Sequence, residues 1–144
     1  TEGLSILPEG GVLVLPGGLG TRRLVHDEGF ITALRSAAEA SAYCLTICTG
    51  SALLAKTGLL EGKKATSNKA AFEWVTSVSE KPVWIKKARW TVDGKYYISS
   101  GVSAGMDMAL GFMRDLYGEE TAGKISRLIE YQWNQDPEAD PFAL

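Results

Sequence analysis

The sequence predicts one α/β domain, built on a doubly wound, mostly parallel sheet flanked by helices, with an added β-hairpin. Three observations carry this prediction. A wholly apolar run at residues 11–16 ends in a glycine-rich turn at 17–20, and a second apolar run follows at 43–48. The segment between them has helical spacing of its apolar residues. This order is the repeating unit of a doubly wound sheet, whose ligands bind at the carboxyl ends of the strands.

The remaining elements follow from periodicity and from turn signals. Asp27 is the predicted N-cap of the first helix, and Gly58 ends the second. Asp93-Gly94 lies between the last two strands and is a strong hairpin signal. Helices are predicted at residues 27–40, 49–57, 70–77, 103–117 and 119–133. Further strands are predicted at residues 64–67, 83–85, 88–92 and 95–99.

Composition limits the classes of protein to which the chain can belong. It has 144 residues, of which 45% are hydrophobic and 22% charged, and a net charge of −2. This is the composition of a soluble globular domain, so neither nucleic acid nor a membrane is an expected partner and the cytoplasm is the expected compartment. Two cysteines and one histidine, without the spacing of a metal site, lead us to expect no metal ion and no other cofactor.

Cys48 is the predicted catalytic residue, because it lies where an apolar strand meets a helix-forming segment between small residues. Such a corner forces a tight turn and projects the side chain into the crevice at the sheet edge. Unpaired amides and the helix dipole there favour a thiolate over a thiol. The alternative is a buried structural cysteine. Cys44 is four residues away along a strand, about 13 Å, so both cysteines are predicted to be free thiols.

A second small-residue corner, at residues 99–105, closes a strand and opens a helix. Since both corners fall at the same sheet edge, they can face one another across the crevice. Ser100 and Gly101 are therefore predicted to line the substrate site. Asp107 is interpreted as an acid that offsets the helix dipole.

Five motifs in chain order resemble the ThiJ/PfpI family of the class I glutamine amidotransferase-like superfamily, over residues 11–131. The resemblance is closest to the branch that contains isonitrile hydratases and the sensor domains of some AraC-type regulators. It implies a flavodoxin-like fold and a homodimer. The motifs are Leu15-Pro-Gly-Gly18, Ile47-Cys-Thr-Gly50, Gly58-Leu-Leu-Glu-Gly-Lys-Lys-Ala-Thr66, Arg89-Trp-Thr-Val-Asp-Gly94 and Ser100-Gly-Val-Ser-Ala-Gly-Met-Asp-Met-Ala-Leu110.

The resemblance also implies roles for individual residues. Cys48 matches the family's elbow cysteine, and Thr49 follows it as in isonitrile hydratases. The Gly17-Gly18 loop matches the one that supplies an oxyanion-hole amide, although a plain turn is an equal interpretation of the two glycines. Backbone N–H groups of Gly18 and Thr49 are suited to hold the negative charge that develops when a thiolate adds to an unsaturated carbon.

Two departures from the family pattern bear on function. Many members have a histidine twenty residues after the cysteine, where this chain has Asn68, and an amide cannot exchange a proton near neutral pH. The roles open to Asn68 are to orient a substrate or a water molecule, or to make a structural hydrogen bond. Members also have an upstream strand and helix that donate a Glu or Asp to the cysteine. Residues 1–8 contain no such unit, so we expect a fragment whose partner segment is missing.

The leading functional hypothesis is a cysteine-dependent lyase that hydrates a small, isonitrile-like electrophile through Cys48, with Gly17 and Asn68 among the substrate contacts. The nearest enzymatic alternative is glyoxalase or deglycase activity on 2-oxoaldehydes. That reaction needs a general base to move a proton between carbons, and Asn68 counts against it. The third hypothesis is a non-catalytic sensor of a metabolite or of oxidation.

Overall fold

The computed structural model describes residues 10–143, and its strands and helices follow the predicted order. The strands are β1 (Val12–Leu15), β2 (Tyr43–Thr46), β3 (Lys64–Ala65), β4 (Val83–Trp84), β5 (Trp90–Asp93) and β6 (Tyr96–Ser99). The helices are α1 (Thr21–Leu24), α2 (Glu28–Ala40), α3 (Gly50–Lys56), α4 (Phe72–Val78), α5 (Val102–Tyr117) and α6 (Glu119–Leu128), with a 3-10 turn at Lys69–Ala71. None of the helices in this stretch is long and apolar enough to cross a membrane.

The main sheet has the strand order β1-β2-β6-β5, in which β1, β2 and β6 are parallel and β5 is antiparallel to β6. This confirms the mostly parallel sheet and the hairpin. The hairpin turn lies one residue later than predicted, because Asp93 pairs with Tyr96 and leaves Gly94 and Lys95 as the loop. Gly94 has a φ of 60°, which suits the first position of a two-residue turn. The two shortest strands, β3 and β4, form a separate parallel pair.

Helices cover both faces of the main sheet, as the doubly wound prediction requires. Successive side chains of β2 point to opposite faces, so Cys44 joins the core formed with α2 and α3, and Leu45 joins the core formed with α5. Ile98 and Tyr97 of β6 divide between the two cores in the same way. The carboxyl ends of β1, β2 and β6 are thereby held at one edge, between two layers of helices.

Local signals set some helix ends, and tertiary contacts set others. Asp27 caps α2 as predicted, with Oδ1 accepting the N–H of Phe30 at 2.9 Å. The last helix ends at Leu128, five residues before its predicted end, because Glu130 has a φ of 52° and the N–H of Tyr131 bonds back to the Ser126 carbonyl at 3.0 Å. The short α1 directly after the glycine turn has no counterpart in the predicted elements.

Candidate active site

Cys48 lies in the turn between β2 and α3 and has a left-handed backbone, with a φ of 57°. Glu130 is the one other non-glycine residue within residues 10–143 with a positive φ. An L-residue in this region costs roughly 1–2 kcal/mol relative to a right-handed conformation. The tight corner predicted from the sequence is therefore present, and it holds the cysteine in a strained conformation.

Close packing and side-chain hydrogen bonds hold this turn in place. A Cβ on Gly50 would lie 2.3 Å from the carbonyl oxygen of Leu15, so no larger residue fits without moving β1. The hydroxyls of Ser51 and Ser67 both donate to the Cys48 carbonyl at 3.0 Å. A strained residue persists only when its surroundings over-determine it, and these contacts supply that constraint.

The glycine loop packs directly on the elbow. A Cβ on Gly17 would lie 2.7 Å from the Thr49 nitrogen, so the approach of the two backbones requires glycine. The Gly18 N–H donates to the Thr49 hydroxyl oxygen at 2.9 Å, and the Thr21 hydroxyl lies 3.1 Å from the same oxygen. The predicted oxyanion amide of Gly18 is thus already hydrogen-bonded to a side chain in this conformation. The Thr49 hydroxyl has to move before the Gly18 N–H can bind a substrate.

The prediction that the amides at the start of α3 are unpaired is partly wrong. The N–H groups of Gly50 and Ser51 bond to the carbonyls of Ile47 and Cys48 at 3.0 and 3.4 Å. A turn this tight brings its own carbonyls within reach of the first helical amides. The Thr49 N–H therefore stays the predicted amide for holding charge at the elbow.

The two cysteines differ in environment, and both are free thiols as predicted. Cys44 is buried, its thiol lies 3.6 Å from the Ala38 carbonyl, and burial raises its pKa. Cys48 is half-buried. Since the thiolate is the reactive form, these environments favour Cys48 as the reactive thiol. Within residues 10–143, no cluster of three His, Cys, Asp or Glu side chains could hold a metal ion.

The second small-residue corner does lie against the elbow. A Cβ on Gly105 of α5 would be 2.9 Å from a methyl carbon of Ile47, the residue before Cys48. Asn68 caps the 3-10 turn by accepting the Ala71 N–H at 3.1 Å, and its amide nitrogen lies 3.6 Å from the Cβ position of Gly101. The structure therefore brings Asn68 and Gly101 together.

Asn68 and Gly101 line a cavity of about 220 Å³ whose other walls could not be inferred from the sequence. Ser100 is not among its lining residues. The Ser100 side chain is buried, and its hydroxyl donates to the carboxylate of Asp140, a residue in the C-terminal tail. The full lining is Asn68, Lys69, Ala70, Gly101, Asp140 and Phe142. No local signal identifies the tail residues, because their contacts are with segments tens of residues away.

A buried ionic cluster joins α5 to this tail. Arg89 pairs with Asp107 through two nitrogens, at 2.6 and 2.7 Å, and its third nitrogen lies 3.7 Å from Asp140. Asp107 is fully buried and also accepts the Tyr131 hydroxyl at 3.1 Å and the Asn134 N–H at 2.9 Å. The interpretation of Asp107 as a helix-dipole acid is therefore wrong, because its partners are an arginine and the tail.

Comparison with known proteins decides the family. The DJ-1/PfpI family profile matches residues 8–115. The chain belongs to the DJ-1/PfpI family. This confirms the resemblance seen in the five motifs, and the matched stretch contains the glycine loop, the elbow, Asn68 and Ser100-Gly101.

Individual relatives are of more than one kind. An isonitrile hydratase from Pseudomonas putida is 36% identical over 120 residues, covering 83% of this chain and 51% of that protein. The HTH-type transcriptional regulator GbdR from Pseudomonas aeruginosa is 29% identical over 142 residues, covering 92% of this chain and 38% of the regulator. A crystal structure of a ThiJ/PfpI family protein from Pseudomonas syringae superposes with a TM-score of 0.78 at 27% identity, covering 91% of this chain and 54% of that one. The chain thus spans about half the length of the hydratase and a smaller share of the regulator.

Proposed function

We propose that this chain carries the nucleophile of a cysteine-dependent hydratase that acts on a small electrophile of the isonitrile class. The observation that carries the proposal is the strained elbow at Cys48, in a chain 36% identical to an isonitrile hydratase. Cys48 is half-buried between a glycine loop and a second small-residue corner, which supports access by a small molecule. A nucleophile held by its backbone is also pre-positioned for attack.

The proposed reaction balances with one water and no redox step. The Cys48 thiolate adds to the terminal carbon of R–N≡C, a carbon–sulfur bond forms, and a proton is delivered to give an enzyme-bound thioimidate. Water then adds to the same carbon, the carbon–sulfur bond breaks, and the N-substituted formamide leaves as the thiolate returns. The Thr49 N–H stabilises the charge that develops in the addition, and the Gly18 N–H joins it once the Thr49 hydroxyl moves.

The proton carrier is proposed to come from a strand–helix unit that completes the domain beside β1. None of the polar side chains in the cavity lining is suited to carry the proton. Asn68 is an amide, and the Lys69 ammonium donates to Thr66 at 3.0 Å and to the Ala88 carbonyl at 2.7 Å. The Asp140 carboxylate is buried and is engaged with Ser100 and with two cations. In the described sheet β1 is an edge strand with Val12 48% and Val14 54% exposed. An apolar groove of about 380 Å³ follows β1 to the glycine loop, which suits an added strand carrying a Glu or Asp.

Turnover assays test the proposal. The full protein is incubated with a small alkyl isonitrile and, separately, with methylglyoxal, and the products are followed by NMR. We expect formamide from the isonitrile, loss of that activity in Cys48→Ser, and retention in Cys44→Ser, the matched change at the buried thiol. Conversion of methylglyoxal with no consumption of isonitrile would instead favour the glyoxalase or deglycase alternative.

A non-catalytic sensor is the second candidate, and the similarity to a protein named as a transcriptional regulator over 92% of the chain favours it. In this case the cavity binds a metabolite, or the Cys48 thiol reports oxidation. No turnover of either substrate, together with a stoichiometric, peroxide-dependent mass gain on Cys48, would support the sensor. We also expect the protein to be a homodimer and to lie in the cytoplasm. Light scattering of the purified protein measures its mass and so tests the dimer.

A further inference from the structure

We propose that the C-terminal segment 136–143 forms one wall of the substrate cavity, with Phe142 determining specificity and Asp140 positioning the wall. The inference rests on the proposed function, because it takes the cavity lined by the predicted site residues Asn68 and Gly101 as the substrate site of Cys48. The segment lies beyond the family match, which ends at residue 115. Its contribution to the cavity is therefore not implied by the family match.

Asp140 fastens the segment to both sides of the cavity. Its carboxylate accepts the Ser100 hydroxyl and lies 3.6 Å from the Lys69 ammonium and 3.7 Å from the Arg89 guanidinium. The Asp140 side chain is 2% exposed, so these charges interact in a low-dielectric environment. Ser100 precedes Gly101 and Lys69 follows Asn68, and both neighbours line the cavity. One buried carboxylate thus ties together the two chain segments that contribute predicted site residues.

Backbone contacts of the same segment set where Phe142 lies. The Pro137 carbonyl accepts the N–H groups of Arg89 and Trp90 at 2.8 and 3.2 Å. The Asp140 N–H donates to the Lys87 carbonyl at 2.9 Å, and Asp140 Oδ1 accepts the Phe142 N–H at 3.1 Å. Phe142 lines the cavity although it is 69% exposed, so its aromatic ring lies at the rim of the cavity.

Cys48 is not itself in the lining, and its backbone is linked to the cavity wall through residues 67 and 68. The Ser67 hydroxyl donates to the Cys48 carbonyl at 3.0 Å, and Asn68, the next residue, is part of the lining. At about 220 Å³ the cavity is smaller than the roughly 300–1,000 Å³ of pockets for drug-sized ligands. A small substrate is therefore the one that fits.

The lining also indicates the chemical class of the substrate. The charges of Lys69 and Asp140 are opposite and are engaged with each other, with Arg89 and with neighbouring polar groups. The surfaces left for a ligand are the Phe142 ring, Ala70, the Gly101 backbone and the Asn68 amide. This set suits a neutral molecule with one compact apolar substituent and one polar end, in keeping with a small alkyl isonitrile.

Alkylation of Cys48 tests the wall without depending on turnover. In the full protein, rates are measured with iodoacetamide, a small reagent, and with a bulky N-aryl maleimide. Phe142→Ala is expected to raise the ratio of the bulky rate to the small rate by about tenfold, the lower end of what one pocket contact contributes to discrimination. Tyr117→Ala is the matched control, an exposed aromatic at the opposite end of α5, and is expected to leave the ratio unchanged.

Two further measurements complete the test. Asp140→Asn keeps the size of the side chain but removes its charge, and is expected to move the alkylation ratio in the same direction. The rates are compared only under conditions in which urea denaturation shows the variant to be fully folded, because unfolding would also raise the ratio. Where isonitrile turnover is found, Phe142→Ala is expected to lower the KM of a cyclohexyl isonitrile about tenfold relative to the KM of a methyl isonitrile. The value of kcat is expected to change little. A ratio within twofold of wild type in both variants overturns the inference. Absence of turnover with a changed ratio rejects the hydratase and retains the wall.

Discussion

The backbone strain at Cys48 can be measured by comparing two substitutions that both remove the sulfur. With a φ of 57°, an alanine at position 48 retains a conformational cost of roughly 1–2 kcal/mol that a glycine does not have. Because glycine gives the unfolded chain more conformational freedom, folding costs roughly 0.5–1 kcal/mol more with glycine than with alanine. We therefore expect Cys48→Gly to be more stable than Cys48→Ala by about 1 kcal/mol, or ~4 °C in Tm.

Urea denaturation of both variants supplies the assay, with Ala33→Gly as the control. Ala33 lies in the middle of α2, where the same exchange of alanine for glycine is expected to destabilise the protein by about 1 kcal/mol. The sign of the effect should thus reverse between the two positions. If Cys48→Gly is less stable than Cys48→Ala by an amount similar to that at Ala33, the backbone at the elbow is unstrained and the argument fails.

Three further predictions concern the surroundings of the site. Asp107→Asn removes the nearer of the two carboxylates that face the buried Arg89 guanidinium and should lower the free energy of unfolding by about 3 kcal/mol. Lys81→Gln, in an exposed ion pair, should change it by less than ~0.5 kcal/mol, and equal effects in urea denaturation would contradict this. Burial and Asp115 raise the pKa of Tyr97 to about 12. The neutral phenol therefore contributes to stability below pH 10, and this contribution is lost as the pH rises towards 12. Phenolate absorbance during alkaline titration follows the ionisation, and the loss of stability should be absent in Tyr97→Phe. Thr49→Val removes the hydroxyl that accepts the Gly18 N–H and should lower the free energy of unfolding by about 1 kcal/mol. Thr49→Ser should retain this hydrogen bond, so equal stabilities of the two variants would show that it does not stabilise the loop.

Much of the fold could be predicted because its signals are local. Two apolar strands with a glycine turn and an amphipathic helix between them already specify the parallel unit, and Asp27 marks where α2 begins. The corner at Cys48 could be predicted in the same way, because small residues that follow an apolar run indicate a tight strand-to-helix turn. Gly50 is required there by the Leu15 carbonyl beside it.

Other features depended on contacts that no local pattern records. The last helix stops early where Tyr131 and Asn134 turn to bond with Asp107, some 24 to 27 residues away. Ser100 was expected to line the crevice, yet its hydroxyl is bonded to a tail residue 40 positions further on. These are pairings between distant segments, and such pairings are decided by how the layers pack.

The amino-acid order alone determined the order of the strands, the cap at Asp27 and the strained corner that carries a thiol, because backbone conformation responds to immediate neighbours. Tertiary packing decided which amides and hydroxyls around that corner are already occupied, and which distant side chains wall its cavity. A hydrogen bond or a buried ion pair forms only when folding brings two groups within about 3 Å and removes their water, and sequence spacing does not encode that event.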